Sequence, residues 1–128
     1  MHSLILHNDN VLSASETPLS PGQVGLLNGW GVFSTIRVVD GVLFAFERHW
    51  ERMHRDAVLM RIPFPFAPDD MERRLLRLVE ANHAANATLR VAVVRNRGGL
   101  WEGPGISRDC DLIAFTTDVK SWGAGVRL

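Results

Sequence analysis

Three short runs in the sequence carry residue types and spacings that could hold an anion. The first is Gly31-Val32-Phe33-Ser34-Thr35-Ile36-Arg37-Val38-Val39. It is rich in β-branched residues and reads as a strand over Val32 to Val39. Alternation sends Val32, Ser34, Ile36 and Val38 to one face and Gly31, Phe33, Thr35 and Arg37 to the other. The first set is a core row. The second combines a space-making glycine, an aromatic ring, a hydroxyl and a cation, which suits the wall of an anionic-ligand site. Alternation alone favours a plain solvated sheet face. The second run, His49-Trp50-Glu51-Arg52, lies in a predicted helix, where His49 and Arg52 occupy neighbouring positions. A helix-held arginine offers a forked set of donors to a phosphate. Beside Glu47, Arg48 and Glu51 it also reads as ordinary exposed charge, and the spacing by itself favours that reading. In the third run Arg90 stands with Thr88, Ala92, Val94 and Asn96 on one strand face, away from the apolar row Leu89, Val91 and Val93. There it could meet a substrate carboxylate or make a structural ion pair. Arg95 and Arg97, ahead of Gly98-Gly99, read as surface charges flanking a loop.

The elements needed to position these residues can be read from turns and periodicity. Ser3 to His7 and Val11 to Ala14 form a predicted hairpin about Asn8-Asp9-Asn10, followed by a Ser/Pro/Gly-rich loop from Ser15 to Gly22. Asp40-Gly41 is a hairpin signal after the strong strand, with a return strand over Val42 to Phe46. From Glu47 to Met60 the period becomes helical, with Trp50, Met53, Ala57 and Met60 on one side. Pro63 and Pro65 end that helix. Pro68 opens a second one, with Asp69, Asp70 and Glu72 at its positive end and Met71, Leu75, Leu78, Val79 and Asn82 as its inner stripe. Thr88 to Val94 and Leu112 to Thr116 read as two more strands, joined by a Gly-rich loop from Gly98 to Gly105. Strands, two helices, then strands predict an α+β two-layer domain, a mainly antiparallel sheet with both helices on one face.

Composition excludes several function classes. Of 128 residues 46% are hydrophobic, too many for a disordered chain. Fourteen basic and fourteen acidic residues cancel, which argues against a broad nucleic-acid surface. No apolar run is long enough to span a membrane or serve as a signal peptide. The single Cys110 cannot form an internal disulfide and rules out cysteine-based zinc motifs; it fits a reducing cytoplasm. His2, His7, His49, His54 and His83 lack metal-site spacing, so no metal is expected. There is no phosphate loop and no dinucleotide fingerprint, and Ser34 and Ser107 lack a nucleophile-elbow context. The chain contains no tyrosine and one lysine, Lys120.

Taken together the pieces resemble one family. Gly29-Trp30-Gly31-Val32-Phe33-Ser34-Thr35-Ile36-Arg37-Val38 resembles the G-D-G-V-F-E-T-I-R-V strand of class IV aminotransferases, which include branched-chain and D-amino-acid aminotransferases and aminodeoxychorismate lyase. His49-x-x-Arg52-Met53-x-x-x-Ala57 resembles the family's H-x-x-R-L-x-x-S-A helix. Leu89-Arg90-Val91 through Arg97-Gly98 resembles its following strand and R-G loop. The resemblance implies pyridoxal 5′-phosphate as cofactor, with Arg52 on its phosphate. Phe33 would line the site, and Arg37 and Arg90 would lie near the substrate, an amino acid or 2-oxo acid. It also implies a homodimer and a Schiff-base lysine in a second domain expected beyond Leu128. Residues 1–128 would then be the N-terminal small domain and Lys120 a surface lysine. Trp30 and Ser34 depart from the family's Asp and Glu, which bears on the substrate more than on the cofactor. The other reading is a non-catalytic module with the same fold, used for oligomerisation or for binding a small anion. The loop Gly99-Leu100-Trp101-Glu102-Gly103 would cover the site or simply pack.

Overall fold

A computed structural model describes residues 1–16, 25, 28–98, 100 and 108–120. The expected loops from Ser15 to Gly22 and from Gly98 to Gly105, and a glycine-containing segment expected from Trp122 to Gly125, lie mainly outside the described residues. Strands β1 (Leu4–His7) and β2 (Asn10–Ser13) form a hairpin, and a single 3-10 turn follows over Ala14–Glu16. Strand β3 runs Gly31–Val39 and β4 only Val42–Leu43. Helices α1 (Phe46–Met60) and α2 (Pro68–Ala81) come next, then β5 (Ala87–Arg95) and β6 (Cys110–Asp118). The six strands form one sheet in the order β2-β1-β6-β5-β3-β4, with every pairing antiparallel. This is the expected α+β two-layer architecture.

The return strand after Asp40-Gly41 is shorter than expected. The turn itself forms, with both residues at positive φ. The chain then leaves β4 after Leu43, passes Ala45 in the left-handed region and begins the helix at Phe46. Phe46 is buried in the core rather than carried on a strand. The helical register required this, because Phe46, Met53 and Ala57 share the buried side of α1.

The core lies between the helices and one sheet face. It joins those three side chains and Met71, Leu75, Leu78 and Val79 of α2 to Leu6, Val32, Ile36, Val38, Leu89, Val91, Val93, Leu112 and Ala114. Pro68 stands in the first turn of α2, as expected. At its other end the Asn82 side chain accepts from the Leu4 backbone N–H and donates to the Leu4 carbonyl and Thr116 Oγ1, tying α2 to the β1–β6 seam.

The end of α1 has a clamp that the sequence reading missed. The Trp30 indole Nε1 donates to the Met60 carbonyl at 2.9 Å, and Arg95 Nη1 donates to the Arg61 carbonyl at 2.9 Å. These carbonyls belong to the helix terminus, where no further turn supplies a donor. Arg95 also stacks on the Trp30 ring at 4.1 Å and donates through Nε to the Arg97 carbonyl at 2.7 Å. Arg95 is therefore a strand residue that clamps a helix end, not a loose charge beside a loop. Arg97 does face solvent, paired with Asp109 at 3.4 Å.

On the sheet face away from α1 and α2, a buried carboxylate fastens the ends of β1 and β6. Asp111 accepts from Arg108 Nε at 2.7 Å and Asn8 Nδ2 at 2.8 Å, with His7 Nε2 at 3.3 Å. Burial by itself would raise its pKa, but the hydrogen bonds from Arg108, Asn8 and Asn96 outweigh it and hold the group at about 2. A depressed carboxylate contributes its stability above its unfolded pKa and loses it as pH falls through the folded value. Asp111→Asn should therefore destabilise the fold at neutral pH by about 2 kcal/mol in urea unfolding. The gap to wild type should close as pH falls from 4 toward 2, because the carboxyl titrates near its ordinary 3.8 when unfolded and at about 2 when folded. A gap that persists undiminished at pH 2 would contradict this account.

Candidate active site at the open edge of β3

Strand β3 pairs with β5 from Gly31 to Val38 but with β4 only at Val38 and Val39. Its first half therefore has an edge that no described strand covers. Helix α1 runs past that edge, and between them lies a cleft of about 400 Å³ lined by Gly31, Val32, Phe33, Arg52, Asp56, Leu59 and Met60. Gly31 must be small here, because a Cβ would meet the Val93 carbonyl of β5 at 2.9 Å.

The two faces of β3 contribute differently. Val32, Ser34, Ile36 and Val38 are all buried, whereas Phe33, Thr35, Arg37 and Val39 are exposed, as the alternation required. Ser34 is the polar member of the buried row at 1% exposure, and it has two partners on α1. Arg52 Nη2 donates to Ser34 Oγ at 2.6 Å, and His49 Nδ1 lies 2.6 Å from the same oxygen. Burial, and then the charge of Arg52, lower the His49 pKa, so the ring is neutral at neutral pH. The i, i+3 spacing of His49 and Arg52 thus aims both at one hydroxyl on the neighbouring strand. The signal for Ser34 was its place in an apolar row, since a buried hydroxyl needs partners.

Phe33 is 57% exposed and belongs to both surroundings. Phe33 lines the cleft, and the Arg90 guanidinium lies over its ring at 4.1 Å. Arg90 Nη1 also donates to Thr35 Oγ1 at 3.1 Å, the residue opposite it in the β3–β5 register. Arg90 makes no ion pair among the described residues. Arg37 lies one pleat further along the same face, opposite Thr88, and its side chain makes no hydrogen bond or ion pair among the described residues. The site residues expected from sequence thus fall into two groups. Arg52 and Phe33 share the cleft; Arg90 joins through the Phe33 ring; Arg37 stands on the sheet face opposite α1 and α2, outside the cleft lining. Among the described residues no cluster of histidine, cysteine and carboxylate side chains could hold a metal ion. Cys110 is buried and its thiol is pushed up to about 11, by burial first and then by Asp111 and Asp109, so it is unsuited to nucleophilic work.

The departure at position 30 also has a physical reason. Trp30 forms the clamp on the last turn of α1, the turn that carries the cleft residues Leu59 and Met60.

The sequence model described as amino-transferase class IV matches residues 31–122. The chain is 27% identical over 116 residues to the D-alanine aminotransferase of Bacillus licheniformis, covering 91% of this chain and 41% of that protein. It is 28% identical over 88 residues to the aminodeoxychorismate lyase of Bacillus subtilis, covering 69% of this chain and 30% of that protein. Its fold matches the branched-chain amino acid aminotransferase of Escherichia coli with a TM-score of 0.82 at 20% identity, over 95% of this chain and 41% of that one. The chain thus spans at most about two-fifths of the length of these relatives. With the match to the family running from β3 through β6, this chain belongs to the class IV aminotransferases.

Proposed function

We propose that this chain is the N-terminal part of a pyridoxal-phosphate-dependent enzyme. That enzyme either moves an amino group from an amino acid to a 2-oxo acid or is a related aminodeoxychorismate lyase. The observation that carries this reading is the placement of Arg52 in a cleft that Phe33 also lines. A guanidinium offers five donors and no acceptor, and Ser34 occupies only one terminal nitrogen. The donor set thus fits the phosphate end of the cofactor. The covalent end is not supplied by the same cleft: Lys120, the one lysine of the chain, is exposed just after β6 and does not line it. We place the Schiff-base lysine in a second domain following Leu128, with residues 1–128 as the small domain.

When bound, pyridoxal phosphate supplies the electron sink on which an amino group is exchanged. The residues described above bind and orient. Arg52 would anchor the phosphate through charge-assisted hydrogen bonds. Phe33 would form an apolar wall that keeps water from the reacting group. Arg90 is steered by the Phe33 ring and Thr35 yet carries no paired carboxylate among the described residues, so it would meet the carboxylate of an amino acid or 2-oxo acid. Arg37 would add positive potential from further along the face. A homodimer belongs to the same reading and is supported by the exposed apolar side chains Val42, Phe44 and Leu59. A cytoplasmic location is supported by the unpaired thiol of Cys110, and no helix of the described residues is long and apolar enough to cross a membrane.

Two outcomes are expected. In the whole protein, Arg52→Gln should weaken pyridoxal 5′-phosphate binding on the order of a hundredfold, while binding of pyridoxal, which lacks the phosphate, changes little. Equal losses for both ligands would refute the phosphate role. In the 128-residue chain, treatment with pyridoxal phosphate and borohydride should leave no stoichiometric adduct at Lys120 by peptide mass mapping. A stoichiometric adduct there would make Lys120 the reactive lysine and overturn the placement of that group in a second domain.

A further inference from the structure

We propose that Ser34 is a positioning residue for Arg52: its buried hydroxyl accepts from the guanidinium and donates to His49, holding Arg52 at the cleft without a carboxylate. The inference rests on the reading of Arg52 as a phosphate anchor and adds how that anchor is held. Proton counting carries it. Arg52 can only donate, so at 2.6 Å Ser34 Oγ must be the acceptor. The hydroxyl has one hydrogen, and His49 Nδ1 at 2.6 Å is the one acceptor it has among the described residues. At 1% exposure the hydroxyl is out of reach of bulk water. The hydroxyl hydrogen therefore points to Nδ1, which must be unprotonated, and the ring proton sits on Nε2. A neutral His49 is consistent with its burial and with the nearby charge of Arg52.

The consequence is electrostatic as well as geometric. Arg52 makes no ion pair among the described residues, although Asp56, which lines the same cleft, follows it by one helical turn; Asp56 lies instead 3.9 Å from Arg55. A neutral hydroxyl fixes the guanidinium while leaving its charge available to an incoming dianion. A carboxylate at that place would fix it equally well and offset the charge. Serine therefore separates orientation from neutralisation, and His49 completes the arrangement by taking up the hydroxyl hydrogen.

The test uses isotope-labelled 128-residue protein, with ring-nitrogen NMR of His49 and titration with inorganic phosphate followed at the Arg52 Nε–H signal. We expect Nδ1 unprotonated and Nε2 protonated, and a saturable phosphate shift at Arg52. Ser34→Ala should weaken that binding about tenfold, the effect of losing one charge-assisted hydrogen bond, and should let His49 mix its tautomers. Ser34→Thr, which keeps the hydroxyl, should preserve both properties. A ring protonated on Nδ1, or an alanine variant with wild-type phosphate affinity, overturns the proposal. Should the alanine variant lose its native amide spectrum, the wild-type tautomer and the threonine variant still decide. Phosphate that leaves Arg52 of the wild-type protein unshifted would instead refute the phosphate anchor itself, a different result from binding that survives Ser34→Ala.

Discussion

The incomplete pairing of β3 is the constraint on which the rest of the molecule depends. One side of the strand is zipped to β5 along eight residues, and the other meets β4 at only two. The long pairing fixes the register, and with it which side chains face the core. The short pairing leaves the first half of the strand open, and that opening is the cleft. A full-length return strand would have closed the edge and displaced α1. The chain avoids this at Ala45, whose left-handed backbone turns it out of the sheet and into the helix.

Once the register is set, neighbouring residues of β3 take on different tasks. Ser34 looks toward α1 and holds Arg52, while Phe33 looks the other way and carries Arg90. A single strand thus links the Arg52 guanidinium on one side of the sheet to the Arg90 guanidinium on the other. Phe33, which lines the cleft and carries Arg90 on its ring, is where the two sides meet. The helix end that walls the cleft is itself fixed from the sheet, by Trp30 and Arg95 on the carbonyls of Met60 and Arg61. Distortion of β3 would therefore reach every part of the site together.

Much of this could be read from the sequence because it follows from period. Alternation sorted Phe33, Thr35 and Arg37 from Val32, Ile36 and Val38, and helical spacing found the buried stripe of α2. Family resemblance singled out Arg52, which composition and spacing alone would have left as surface charge. What escaped were contacts between elements distant in sequence. The clamp on α1 joins residues 30 and 34 positions apart in the chain, and no local pattern marks Arg95 as a donor to a helix terminus. The short β4 escaped because Phe44, Ala45 and Phe46 read equally well as strand by propensity, and the demand of the core for Phe46 decided the matter. Ser34 was visible as a hydroxyl in an apolar row, but its partners became evident only once α1 was laid beside β3.

The central claim is that the open edge of β3 beside α1 is where this protein holds a phosphate. A crystal structure of the chain soaked with pyridoxine 5′-phosphate, a phosphate ester without the reactive aldehyde, tests it most directly. The account predicts phosphate density within hydrogen-bond distance of the Arg52 guanidinium, with the ring of the ligand toward Phe33. Phosphate density at Arg37 or Arg90, with the cleft beside Arg52 empty, would contradict it.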